Sequence, residues 1–269
     1  MLLLMRIPLY QVDAFTHKPF AGNPAAVCPL ESWLGDAAMQ AIAAENNLSE
    51  SAFFVGGKGR YELRWFTPTT EVDLCGHATL ASSFIIWNRL ADPSAELKFD
   101  TRSGELRVER RDDLMVMALP LAPPRPCEPP AALVEGVGGT PREIWEAREG
   151  KGSRNFLVVF DSEEEVRALQ PDPRPLARLH RTGVIVTARG READFVSRYF
   201  APSFGIDEDP VTGSAHCTLT PYWAKQLGKK KLHARQISAR GGELFCELEA
   251  ASVRVGGRAA LYSEGFLHL

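Results

Sequence analysis

The chain repeats itself at half its length, and this constrains the fold more than any single motif. Arg64-Trp65-Phe66-Thr67-Pro68 returns as Arg198-Tyr199-Phe200-Ala201-Pro202, an offset of 134 in a chain of 269 residues. A short acidic loop follows each copy, and a Gly-containing turn then opens an apolar run. The first run is Leu74-Cys75-Gly76-His77-Ala78-Thr79 and the second Asp209-Pro210-Val211-Thr212-Gly213-Ser214. Gly76 and Gly213 are offset by 137, so the second loop is three residues longer. Self-similarity at a long period is the mark of a duplicated architecture. We therefore expect two similar halves, each with a polar Gly turn at a helix start, and one site built between them.

The pattern of elements predicts an α+β fold. Strands are expected at 7–15, 25–28, 51–55 and 61–66, and as a meander over 97–119. A helix is expected over 36–44, with Asp36 as N-cap, and a second over 78–90. That second helix has almost no charge and so reads as buried on most sides. Residues 120–130 contain six prolines in eleven positions, which neither a helix interior nor a central strand tolerates. They read as an extended linker between an N-terminal domain, 1–119, and a C-terminal domain, 131–256. The segment 257–269 is a candidate to rejoin the first. The second half is expected to carry helices near 141–148, 175–179 and 214–227. Its strands are expected at 155–160, 183–187, 193–200, 234–240, 243–249 and 252–255. Strands cluster rather than alternate with helices, which favours two pseudo-symmetric, mostly antiparallel sheets, each around a central apolar helix, over a doubly wound parallel sheet.

Composition excludes several classes. The net charge of −3 is dispersed, whereas a nucleic-acid surface needs clustered basic residues. No apolar stretch approaches the roughly 20 residues that cross a bilayer. The five cysteines are odd in number, widely spaced and without a CxxC pair, which argues against a disulfide framework or a structural zinc site. A reducing cytoplasm is the expected compartment. Neither dinucleotide nor phosphate-loop fingerprints occur, so no cofactor and no metal are expected.

The Gly turns are the best place for chemistry. A helix N-terminus offers unpaired N–H groups and the positive end of a dipole, and Gly lets a ligand approach the backbone. Two such turns suit a small anion such as a carboxylate. His77, at the first helix start, is expected to stay neutral near pH 7. Asp209 could cap the second helix start or hold a polar substrate group, and Thr212 and Ser214 add hydroxyls there. Cys75 precedes its Gly turn, where a thiol can act as a base. Its counterpart before Gly213 is Thr212, and Cys217 lies a turn further on, in the core. Glu45 stands at a helix C-terminus, an electrostatically poor place for a carboxylate; from the residues alone, solvent exposure accounts for it.

Four segments then carry a family resemblance. They are Val12–Phe15 leading to Phe20-Ala21-Gly22-Asn23-Pro24; Glu45-Asn46-Asn47-Leu48-Ser49-Glu50-Ser51-Ala52-Phe53; Phe66-Thr67-Pro68 leading to Cys75-Gly76-His77-Ala78-Thr79; and Glu208-Asp209-Pro210-Val211-Thr212-Gly213-Ser214-Ala215. In this order and spacing the chain resembles the PhzF family of phenazine biosynthesis. The resemblance implies the diaminopimelate-epimerase-like fold and a cofactor-independent isomerisation that moves a proton on a small carboxylate such as a dihydro-hydroxyanthranilate. It places the family's catalytic glutamate on Glu45, its histidine on His77 and its aspartate on Asp209. Substrate contacts fall on Gly76, Gly213 and Ser214, beside Thr212. A homodimer is the family default. Cys75 departs from the small residue of the phenazine-pathway enzymes and matches a broader branch. Two alternatives stay open: a racemase or epimerase using Cys75, and a protein that keeps the fold but acts by binding.

Overall fold

A computed structural model describes residues 5–149 and 153–269. The chain forms two compact units, one running to Ala118 and completed by Gly256–Leu269, the other spanning Leu119–Val255.

In the first unit, strands β1 (Arg6–Ala14), β2 (Asn23–Pro29), β3 (Glu50–Gly57) and β4 (Arg60–Phe66) lie side by side, with helix α1 (Asp36–Asn46) between β2 and β3 in sequence. The β1–β2 and β3–β4 pairs are antiparallel and β2–β3 is parallel. The short β5 (Glu71–Val72) pairs with β4, helix α2 (Gly76–Asn88) follows, and β6 (Glu96–Thr101) joins β4 in parallel. Strands β7 (Gly104–Arg111) and β8 (Leu114–Pro120) complete the predicted meander.

The second unit repeats this scheme. The Pro-rich stretch contributes a two-residue strand, β9 (Arg125–Pro126), and is followed by α3 (Ala131–Gly136). Strands β10 (Glu143–Glu149), β11 (Ser153–Val159), β12 (Thr182–Arg189) and β13 (Phe195–Ala201) pair antiparallel, parallel and antiparallel in turn, with helices α4 (Glu163–Ala168) and α5 (Pro173–Ala177) inserted before β12. Strand β14 (Ile206–Asp209) sits on β13, helix α6 (His216–Leu227) follows, and β15 (Lys231–Gln236) joins β13 in parallel. Strand β16 (Gly242–Leu248) pairs with β15, and β17 (Ser252–Gly257) follows. The duplication extends to the outermost strand. The last strand, β18 (Ala259–His268), runs antiparallel to β1, just as β9 runs antiparallel to β10.

The repeated Arg side chains explain why the motif recurs. Arg64 forms a two-pronged pair with Glu71, at 2.8 Å for each bond, and lies over the Phe66 ring. Arg198 does the same with Glu208, at 2.8 and 2.9 Å, and lies over Phe200. Each clasp ties a strand to the acidic loop that leads to the buried helix. Arg198 also donates to the carbonyls of Val166 and Leu169 at the end of α4.

Helix α2 is buried on every side, including Thr79, Ser82 and Ser83. Its hydroxyls are accommodated by bonding back to the carbonyls of Cys75, Ala78 and Thr79, at 2.6, 2.8 and 2.8 Å, the standard refuge of such residues in a helix. Its surroundings are tight. A Cβ on Gly257 would lie 2.4 Å from the Phe15 ring. In the second unit, β12 is buried along Thr182–Ala188. Val184 and Val186 pack into the cluster beneath α3, α4 and α5. Thr187, on the alternate face, accepts from the Trp223 indole of α6 at 3.0 Å. A strand buried on both faces reads as a continuous apolar run.

Four expectations are corrected. Residues 143–149 form a strand and not a helix: pairing with β9 on one side and β11 on the other overrides the helical preference of Glu, Ala and Arg. Gly35, not Asp36, is the N-cap of α1, and Asp36 instead reaches Arg64 at 2.9 Å. Regular α6 begins at His216, because Gly213–Ala215 turn through i→i+3 bonds to His216, Cys217 and Thr218. The strand expected at 234–240 lies at Lys231–Gln236, starting directly after the α6 C-cap Gly228, whose φ is 66°. Among the described residues no helix is long and apolar enough to cross a membrane.

Candidate functional site

In the first unit the candidate residues converge on the start of α2. Cys75 is its N-cap in extended conformation and makes no side-chain capping bond. Gly76 and His77 form the first turn. His77 is buried, and its ring touches three segments. Nδ1 lies 3.3 Å from Asn23 Nδ2 and 3.5 Å from Cys75 Sγ, while Nε2 lies 3.2 Å from Glu50 Oε2. Burial is the main force on this histidine and pushes its pKa down to about 3, against a smaller upward pull from the Pro24 backbone. The ring is therefore neutral at physiological pH, with burial as the main cause.

Glu45 occupies the last turn of α1. It is exposed, and among the described residues its carboxylate takes part in no hydrogen bond or ion pair. The segment after it is firmly held. Asn47 ends the helix in left-handed geometry with φ 48°, Asn46 donates to Ser51 at 2.9 Å, and Ser49 donates to Asn23 at 3.3 Å. The Glu45–Ser51 motif thus connects an open carboxylate to a fixed network around His77.

In the second unit, Asp209 ends β14 and accepts a bond from the Thr212 hydroxyl. It does not cap α6. The Thr212 N–H donates to Gln236 Oε1 at 2.8 Å, and Gln236 Nε2 donates to the Asp209 carbonyl at 2.8 Å. Ser238 holds the Pro210 carbonyl at 2.7 Å. Gly213 is buried and Ser214 half-buried at the turn. His216, fully buried, sets Nδ1 2.9 Å from the Thr212 carbonyl, and burial pushes its pKa down to about 4. Cys217 is buried in the helix, as expected.

The structure thus groups Cys75, Gly76 and His77 in one unit and Asp209, Thr212, Gly213 and Ser214 in the other. Sequence reasoning missed the side chains that fix them. Asn23 was legible only as part of a Gly-Asn-Pro breaker, and Glu50 only as part of a motif. Gln236 and Ser238 carry no signal at all, because strand polar residues become informative only once their neighbours are known.

Comparison with known proteins gives a consistent picture. The family described as phenazine biosynthesis-like protein, PhzC-PhzF, matches residues 12–265. An uncharacterized isomerase of Pseudomonas aeruginosa is 52% identical over 98% of this chain and 100% of its own length. The crystal structure of a PhzF-family phenazine biosynthesis protein from Enterococcus faecalis superposes with a TM-score of 0.93 at 44% identity, covering 98% of this chain and 100% of that one. A predicted epimerase of Pseudomonas aeruginosa shares the fold, with a TM-score of 0.73 at 23% identity over 98% of this chain and 99% of that one.

Proposed function

Because the chain belongs to the PhzC-PhzF family of phenazine biosynthesis-like proteins, we propose that it is an isomerase that moves a proton on a small carboxylate substrate, of the dihydro-hydroxyanthranilate type, without a cofactor. Glu45 is the general acid/base. The observation that carries this role is its placement: an exposed carboxylate without a hydrogen bond or ion pair among the described residues, at the end of a helix whose exit is pinned to the His77 network. A carboxylate held on a rigid mount but left open is suited to meet a substrate proton. His77, neutral and immobile, orients the substrate by hydrogen bonding. Gly76 supplies backbone N–H at the α2 start. Asp209, with Thr212, Gly213 and Ser214, provides the second set of polar contacts. In this reading the protein works in the cytoplasm as a homodimer, which light scattering of the purified chain tests.

Proton exchange in D₂O, followed by NMR, tests the chemistry. Wild type and Glu45→Gln are mixed with a panel of small carboxylates that includes dihydro-hydroxyanthranilate and α-amino acids. Deuterium entering a C–H position with wild type, and slowed by about a hundredfold or more in Glu45→Gln, supports the proposal. Exchange that survives Glu45→Gln but is lost in Cys75→Ala supports a thiol-based racemase instead. The 3.5 Å approach of Cys75 Sγ to His77 is the observation that favours that second reading. Binding without exchange across the panel supports a binding protein.

A further inference from the structure

The reaction proposed above leaves His216 without a task, although its imidazole is fully buried against the Thr212–Ser214 turn. We propose that His216 is a positioning residue: its Nδ1–H holds the Thr212 carbonyl so that the Gly213 N–H stays turned to the substrate carboxylate. This role rests on the isomerase reading above and deepens it.

A carbonyl oxygen only accepts, so the 2.9 Å contact between Nδ1 and the Thr212 carbonyl places a proton on Nδ1. Burial keeps the ring neutral near pH 7. Nε2 is then a bare acceptor, buried and without a hydrogen bond. The ring thus directs its hydrogen bonding at the turn.

The turn itself creates the need. The His216 N–H bonds to the Gly213 carbonyl at 3.1 Å, in the tighter i→i+3 pattern, and no backbone N–H of the described residues reaches the Thr212 carbonyl. In the first unit the equivalent Cys75 carbonyl does receive a backbone N–H, from Thr79 at 3.2 Å, and the Thr79 hydroxyl adds a bond at 2.6 Å. Thr79 and His216 both stand three residues beyond the glycine, at the same offset of 137. Each unit therefore secures the carbonyl before the glycine with a side chain from the same place in the repeat.

Fixing that carbonyl fixes the N–H behind it. The Thr212–Gly213 peptide is trans, and its planar unit carries C=O and N–H on opposite sides. The Thr212 N–H and hydroxyl are already committed to Gln236 and Asp209. With His216 bonded as well, Thr212 has no polar group left to turn. Gly213 is buried, yet its N–H meets no acceptor among the described residues. A donor held in place without an acceptor is preorganised for an anion.

NMR of the full chain, joined to the D₂O exchange assay, tests this role. With ¹⁵N-labelled histidine, the His216 ring, identified by its absence in the variants, should be protonated at Nδ1 and bare at Nε2 at pH 7. Labelling threonine carbonyls with ¹³C and glycine with ¹⁵N selects only Thr182–Gly183 and Thr212–Gly213, and Gly213→Ala identifies the second by its loss. The Thr212 carbonyl signal should move in His216→Leu, which keeps bulk without a donor, and return towards its wild-type position in His216→Asn. An asparagine amide already bonds back one turn in this protein, from Asn88 to the Phe84 carbonyl at 2.8 Å. Exchange on the carboxylate panel, per folded molecule, should fall by about tenfold or more in His216→Leu and recover in His216→Asn. A merely structural role would lower the melting temperature and leave exchange per folded molecule undiminished, which overturns the proposal. So does a bare Nδ1 in wild type, or an unmoved Thr212 carbonyl in folded His216→Leu. If wild type exchanges no proton on any member of the panel, the isomerase reading fails, and the two NMR readouts still decide whether His216 holds the turn. If His216→Leu does not fold, the Nδ1 proton in wild type decides alone.

Discussion

Replacing Arg198 with Met removes the guanidinium while keeping an unbranched chain over the Phe200 ring. The structure sets the size of the effect. Arg198 makes two bonds to Glu208 and two to the carbonyls of Val166 and Leu169. The Arg198 and Glu208 side chains are only 13% and 25% exposed. Breaking a buried ion pair on one side costs about 3–5 kcal/mol, because the remaining charge is left without compensation. Residual solvent around Glu208 reduces this, and the two freed carbonyls add back part, so about 2–4 kcal/mol is expected. At about 2–4 °C per kcal/mol for a protein of this size, the melting temperature should fall by roughly 5–15 °C. Differential scanning calorimetry, with urea unfolding followed by circular dichroism, measures both quantities. Adding Glu208→Gln should recover part of the loss, but not all, since the α4 carbonyls stay unpaired. A cost below about 1 kcal/mol, the range of an exposed pair, would refute the view that the duplicated clasp is structural.

Two further expectations concern stability. His216 has its folded-state pKa lowered to about 4 by burial, against about 6.5 unfolded. Between those values the unfolded chain binds the extra proton, so the contribution is complete above pH 6.5 and falls as the pH drops towards 4, by on the order of 3 kcal/mol; urea midpoints that stay flat from pH 6.5 to 5 would contradict this. Gly257→Ala should cost about 1–3 kcal/mol by overpacking against Phe15, whereas Gly265→Ala, where a Cβ meets nothing within 4 Å, should be nearly neutral; equal effects in urea unfolding would count against the close approach.

The duplicated architecture was legible because its strongest signals are local and repeated. The Arg-aromatic-Phe strand and the uncharged helix after Gly76 each announce their own structure. The 143–149 segment was not legible, because its residues suit a helix and only its two strand partners decide otherwise. The α6 start was misplaced by two residues, since Gly213 and Ser214 look like a helix opening whether the first turn closes through i→i+3 or i→i+4 bonds. At the candidate site the conspicuous residues, His77, Asp209 and the Gly turns, could be picked out. The groups that hold them, Asn23, Glu50 and Gln236, arrive from distant segments and have no pattern of their own.

The pairing of β18 with β1 bears on how the chain can be made. The first unit holds both β1 and β18, which lie on either side of the whole second unit in sequence. The second unit, ending at Val255, has all its strands and helices out of the ribosome sooner. The β1 strand must therefore wait with one edge open while the whole second unit is synthesised. Since domains generally fold as units, a released chain cut just before residue 259 should hold a folded second unit beside a first unit that lacks its β18 edge.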